Sequence, residues 1–210
     1  MEQQSLLNIL KQYWGYTAFR EKQEAIIQSV LDNKDTLALL PTGGGKSLCY
    51  QIPSMAQEGI CIVVSPLIAL MKDQVEDLKA KGIKAAAVYS GLTNREIDIT
   101  LDNCAYGNYK FLYVSPERLE TDLFRERLKK MPVKLLAVDE AHCISEWGYD
   151  FRPSYLKIAE IREIIPDIPV LALTATATAV VQQDIFDKLD FKDGQLFWKS
   201  FERPNLVYGV

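Results

Sequence analysis

The chain has 210 residues, a formal charge of -4, and an apolar share of 48% against a charged share of 25%. That length supports one full α/β domain burying roughly 70% of the surface its unfolded form exposes, and the composition excludes disordered and fibrous classes. A pI near 5.2 leaves no basic footprint, so any contact with nucleic acid must be local.

In chain order, Met1-Glu2-Gln3-Gln4 lacks the basic and apolar regions of a signal peptide. No apolar run approaches the ~20 residues that span a bilayer, so a cytoplasmic location (the nucleoid in a bacterium) and no membrane partner are expected. Residues 6–14 and 21–31 read as helices separated by Gly15-Tyr16-Thr17-Ala18-Phe19. β-prone runs then recur at 36–40, 61–64, 85–89, 111–114, 135–138 and 170–173, with helical patterns between them. One such pattern, 67–79, carries apolar Leu67, Leu70, Met71, Val75 and Leu78 at three- and four-residue steps. Strands alternating with helices predict a mostly parallel central sheet with helices on both faces. Leu135-Leu136-Ala137-Val138, apolar throughout, reads as a central strand. The four cysteines, Cys49, Cys61, Cys104 and Cys143, form no CxxC pair and accompany a single histidine, His142, which argues for reduced thiols and against a zinc site.

Two motifs carry chemistry. The run 36–40 leads into Pro41-Thr42-Gly43-Gly44-Gly45-Lys46-Ser47 and a helical pattern, the strand, loop and helix context of a Walker A phosphate cradle. Glycines let backbone amides approach an anion at a helix N-terminus. Lys46 brings a point charge to the β- and γ-phosphates, and Ser47 a hydroxyl ligand for Mg²⁺. Leu40 stands where the usual first glycine would. The second motif, Asp139-Glu140-Ala141-His142, ends the apolar strand. Adjacent carboxylates there call for a cation, with Asp139 holding Mg²⁺ and Glu140 acting as general base toward the attacking water. Together these imply nucleotide hydrolysis with Lys46, Asp139 and Glu140 catalytic, a chemistry shared by many motors and switches.

With these motifs, the segment Trp147-Gly148-Tyr149-Asp150-Phe151-Arg152 makes the chain resemble the RecQ family of superfamily 2 DNA helicases. The resemblance implies a RecA-like P-loop NTPase lobe spanning 1–205, with a helical adenine-recognition motif in 1–33. By it, Tyr16, Arg20 and Gln23 read the ATP base, and Pro41 to Ser47 hold the phosphates. His142, Trp147, Phe151 and Arg152 couple single-stranded DNA to hydrolysis. Ser65, Pro66, Gln74, Ser115, Glu117 and Arg118 touch the DNA backbone, and Thr174 and Thr176 relay between the two sites. Thr178 could also cap the helix that follows. Glu146 and Tyr149 depart from the family pattern, which has glutamine and histidine there.

The resemblance further implies a 3′ to 5′ helicase of DNA repair and recombination, acting on single-stranded and duplex DNA. Its second RecA-like lobe, arginine finger and zinc module have no counterpart here. Phe201-Glu202-Arg203-Pro204-Asn205-Leu206 resembles the passage into that lobe, with 206–210 beginning the link, so the piece alone is expected to hydrolyse ATP very slowly. Another superfamily 2 motor, acting on RNA or translocating on DNA, remains the alternative, as does a non-catalytic adaptor.

Overall fold

Every strand from Thr36 to Thr174 is buried along nearly its whole length, and in each the side chains alternate between two apolar layers. That is the signature of a sheet covered on both faces. The computed structural model describes residues 5–198, so the passage at 201–206 and the run 206–210 lie outside the described residues.

The elements are α1 (Leu6–Trp14), α2 (Gln23–Leu31), β1 (Thr36–Leu39), α3 (Lys46–Ala56), β2 (Ile60–Val64), α4 (Ile68–Ala80), β3 (Ala85–Val88) and α5 (Asn94–Tyr106). They continue with β4 (Phe111–Val114), α6 (Asp122–Leu128), β5 (Val133–Val138), α7 (Ile158–Ile164), β6 (Val170–Thr174), α8 (Ala179–Lys188) and β7 (Gln195–Trp198). The strands form one seven-stranded sheet in the order β3-β4-β2-β5-β6-β1-β7. Every pairing is parallel, so the expected mostly parallel sheet is wholly parallel among the described residues. β5 occupies the middle place, as its continuous apolar run requires.

One face packs Leu37, Ile62, Leu112 and Leu136 against Leu101 of α5, Phe124 of α6, Ile161 of α7 and Ile185 of α8. The other packs Ala38, Val63, Phe111 and Ala137 against Ile26 of α2, Cys49 of α3 and Met71 of α4. α1 lies outside this layer, with Ile9 and Leu10 seated on Ile27, Leu48 and Ile52. The four cysteines are free and buried. Helix starts follow capping chemistry: Thr93 and Glu96 form a reciprocal capping box on α5, and Thr178 accepts from Val181 N at the start of α8. Among the described residues no helix is long and apolar enough to cross a membrane.

β7 is not anticipated by the periodicity of the sequence. It is a four-residue edge strand, mostly exposed, and its place beside β1 is set from a distance. Gln195 N donates to the Asp35 carbonyl at 2.8 Å. The Asp35 carboxylate accepts from Lys192 N at 2.8 Å, Val170 N at 2.8 Å and Arg162 Nη1 at 2.8 Å. This buried clasp closes the N-terminal ends of β1, β6 and β7. Because all strands are parallel, the loops that follow them gather at the opposite end, where ligands of such sheets bind.

Candidate active site

The loop from β1 to α3 is shaped by its glycines. Gly43 and Gly45 have φ of 76° and 75°, and a Cβ on Gly45 would lie 2.4 Å from Gln23 Nε2. A Cβ on Gly44 would lie 2.7 Å from the Pro41 carbonyl, so neither Gly44 nor Gly45 tolerates a side chain. Lys46 and Ser47 open α3 directly behind this loop. Leu40, at the position of the missing glycine, is buried in the layer beneath the sheet.

The expected base-reading residues converge on the same loop. Gln23 is only 1% exposed. Its Nε2 donates to the Gly45 carbonyl at 3.1 Å and its Oε1 accepts from Arg20 N at 2.8 Å, while the Arg20 guanidinium donates to the Gly43 carbonyl. Tyr16 is 51% exposed at the lip. These residues, the cradle, Asp139 and Glu140 line one cleft of about 540 Å³. Trp14, Gln51, Leu70 and Asp77 line it as well, and the sequence reading misses them because their spacing is that of ordinary helix faces.

Asp139 and Glu140 terminate β5. Asp139 N donates to the Val64 carbonyl at 2.9 Å, and the Tyr155 hydroxyl donates to the Asp139 carbonyl at 2.9 Å, which fixes the strand end from both sides. Glu140 takes a left-handed conformation, φ 48° and ψ 45°, which turns the chain sharply out of the strand. Burial, and then the charge of Glu140, push the Asp139 carboxyl up to about 6, against a smaller pull from the Glu140 backbone and Lys46. A carboxylate so disfavoured, beside a second one and a serine hydroxyl in the same cleft, is an all-oxygen donor set suited to a hard divalent cation such as Mg²⁺.

His142 joins this acid pair to the next strand. It is buried, with Nδ1 at 2.9 Å from Thr174 Oγ1 and 3.3 Å from Glu140 Oε2. Thr174 in turn donates to the Thr176 carbonyl at 3.1 Å, so the imidazole Nδ1 is the donor to Thr174. Desolvation lowers the His142 pKa and keeps the ring neutral. The Tyr149 ring stacks on His142 with centroids 4.6 Å apart and planes at 22°. Its remaining surface is open, at 79% exposure, and Trp147 is 76% exposed beside it.

Arg152 pairs with Asp150 Oδ2 at 3.1 Å and reaches the Pro66 carbonyl at 3.5 Å, tying the aromatic loop to the turn after β2. Phe151 faces the Lys188 ammonium, 6.0 Å from the ring centroid. Ser145, not singled out from sequence, anchors the loop by donating to Asp184 Oδ2 at 2.6 Å and accepting from Trp147 N. Cys143, beside His142 and Asp150, is a neutral thiol pushed up to about 12 by burial.

Three of the residues expected at the DNA backbone are partly or fully buried. Gln74 lies in the nucleotide cleft, where its Oε1 accepts from Gln51 Nε2 at 3.1 Å, because the α4 face it occupies turns toward α3. Ser65 and Ser115 are buried, and their hydroxyls make no hydrogen bond to the described residues. Pro66, Glu117 and Arg118 remain partly or fully accessible on those turns.

Known proteins resemble this chain along nearly its whole length. The DEAD/DEAH box helicase family matches residues 20–184. The chain belongs to that family. Within it, the chain is 48% identical over 206 residues to the probable ATP-dependent DNA helicase RecS of Bacillus subtilis, covering 98% of this chain and 41% of that protein. It is 44% identical over 208 residues to the ATP-dependent DNA helicase RecQ of Haemophilus influenzae, covering 99% of this chain and 34% of that protein. The RecQ resemblance thus extends along nearly all of this DEAD/DEAH domain, which spans less than half the length of these relatives. The DUF1998 helicase MrfA bound to DNA shares the fold, with a TM-score of 0.76 at 16% identity over 95% of this chain and 30% of that one.

Proposed function

We propose that this chain is the ATP-binding motor lobe of a RecQ-like 3′ to 5′ DNA helicase. The observation that carries the reading is the contact between an exposed aromatic loop and the acid pair. Tyr149 stacks on His142, and His142 touches both Glu140 and Thr174, so a ligand on the loop and a nucleotide in the cleft share one buried side chain.

In this reading Gln23, Arg20 and Tyr16 recognise adenine, and the amides of Thr42 to Gly45 cradle the phosphates. Lys46 neutralises the β- and γ-phosphates, while Ser47 and Asp139 hold Mg²⁺. That cation's chemistry is to offset charge on the phosphates. Glu140 orients and deprotonates the attacking water, with the His142 ring lying 3.3 Å from its Oε2. Trp147, Phe151 and Arg152 with Tyr149 engage single-stranded DNA by stacking, which needs no basic surface. Pro66, Glu117 and Arg118, with the amides of the two Ser-Pro turns, follow the backbone. Residues 1–205 form the lobe, 206–210 lead toward a second one, and the complete motor works in the cytoplasm or nucleoid.

The test is Glu140→Gln in the complete motor. ATP binding in Mg²⁺ is expected to persist while DNA-stimulated hydrolysis falls by at least about 10²-fold. Hydrolysis within a few-fold of wild type would remove Glu140 as the base. Unwinding of RNA but not DNA duplexes would move the lobe to a different motor class.

A further inference from the structure

The cysteines form no CxxC pair and the chain has one histidine, so spacing predicts no zinc site; folding nevertheless brings three unlike donors together. After β5 the chain turns through His142 and Cys143 and loops back to Asp150. His142 Nε2 lies 3.8 Å from Cys143 Sγ, and Cys143 Sγ lies 3.7 Å from Asp150 Oδ2. The three donor atoms all fall within 4.8 Å of one another. The loop is held shut around them. Arg152 N donates to the Cys143 carbonyl at 2.9 Å, and Gly148 passes so close to the His142 carbonyl that a Cβ there would lie 2.7 Å from it.

These donors suit a different cation from the one expected in the nucleotide cleft. Because His142 Nδ1 donates to Thr174 Oγ1, Nε2 carries the lone pair, and it faces the sulfur. A ligating imidazole whose other N–H is held by a fixed acceptor has its tautomer and ring orientation set in advance. In a tetrahedral zinc site, bonds of about 2.0 Å to nitrogen and about 2.3 Å to sulfur put neighbouring donors roughly 3.5 Å apart. The two contacts to sulfur therefore need to shorten only slightly. Imidazole, thiolate and carboxylate select a borderline-soft divalent ion over Mg²⁺, which takes oxygen donors. One thiolate and one carboxylate carry two negative charges, which such an ion neutralises. Arg152 draws on Asp150 Oδ2 at 3.1 Å, and the carboxylate keeps lone pairs for a second partner.

We propose that His142 Nε2, Cys143 Sγ and the Asp150 carboxylate form a three-ligand site for a thiophilic divalent cation of the Zn²⁺ class, with water as fourth ligand, and that its occupation arrests the motor. As the metal–sulfur bond forms, the Cys143 S–H bond breaks and the proton leaves to solvent; the metal charge offsets the burial that otherwise keeps this thiol neutral. Asp150 is half-buried whereas His142 and Cys143 are buried, so the carboxylate meets the ion first. The bound ion ties Asp150 to His142, the side chain that touches both Glu140 and Thr174, and so freezes the aromatic loop against the acid pair. The site stands on the donor geometry, while the arrest rests on the proposed coupling of this loop to hydrolysis.

The test adds Co²⁺ or Zn²⁺ to the complete motor with DNA and Mg²⁺-ATP, for wild type, Cys143→Ser and Asp150→Asn. Differences between wild type and variants separate this site from any metal held elsewhere in the motor. Wild type is expected to show a thiolate-to-Co²⁺ charge-transfer band that Cys143→Ser lacks, and Asp150→Asn to need at least about 10-fold more Co²⁺ to reach it. Zn²⁺ should inhibit the DNA-stimulated ATPase of wild type, with half-inhibition shifted upward by about 10- to 100-fold in either variant. A Co²⁺ band identical in wild type and variants overturns the site. Zn²⁺ inhibition that is equal in all three proteins acts elsewhere and overturns the arrest. A Cys143-dependent band with no inhibition of wild type keeps the site and overturns instead the coupling of loop and hydrolysis. The two variants remove different ligands, so one that folds is enough.

Discussion

Two aspartates stand at opposite ends of the same sheet, and their surroundings differ in kind. Asp35, at the start of β1, is buried and fully engaged by a guanidinium and two backbone amides. Asp139, at the end of β5, is half-buried and forms no ion pair among the described residues, and its nearest charged neighbour in sequence is another carboxylate. The clasp at Asp35 is complete and holds three strands in register. The acid at Asp139 is left in electrostatic debt, which a cation and a nucleotide would settle. A buried charge with all its partners is architecture; one lacking them in a cleft is a candidate for chemistry.

The sharpest way to break this contrast is Arg162→Ala, which strands the buried Asp35 carboxylate. Chemical denaturation should show a loss of about 3–5 kcal/mol, with ATP affinity unchanged in the protein that remains folded. A loss under about 1 kcal/mol would mean that the clasp is not structural. At the other end, Asp139→Asn should act in the opposite sense, raising stability in EDTA at pH 7.5 by on the order of 2–3 kcal/mol while removing Mg²⁺-dependent ATP binding. An aspartate that stabilises the fold there would contradict the debt.

The same pair of proteins gives the pH dependence. Burial pushes the Asp139 carboxyl up from its ordinary 3.8 to about 6, so between those values the folded state holds the extra proton. Its contribution to stability therefore falls as pH rises through that window. The advantage of Asp139→Asn over wild type should shrink steadily below pH 6, vanish below about pH 3 and reach its full size above pH 7; an advantage independent of pH would point to packing. The smallest effect is expected at the loop. Tyr149→Ala removes one ring from His142 and should lower the ratio of DNA-stimulated to basal ATPase in the complete motor about 2- to 10-fold. An unaltered ratio would show that the stack is not the link.

Much of this was legible in the chain because the signals were local. The strand, glycine loop and helix around Lys46, and the apolar run ending at Asp139, lie within a few residues of their own evidence. Helix α1 falls at 6–14 as its periodicity requires, and β5 is central as its composition demands. What escaped depends on distance. Asp35 meets partners 127, 135 and 157 positions away, so neither the clasp nor the edge strand β7 leaves a local trace. Gln74 lies in a stretch shared with a Ser-Pro turn, and only the rotation of α4 shows that it faces the nucleotide cleft.

The left-handed backbone of Glu140 has a consequence for evolution of this lobe. A glycine there would relieve roughly 1 kcal/mol of backbone strain, and an asparagine at 139 would relieve the buried charge next to it. Both replacements favour the fold and remove groups the hydrolytic reading needs. A library screened for thermal resistance alone would drift toward inert sequences at these adjacent codons, so stability screens of this domain should be paired with a nucleotide readout.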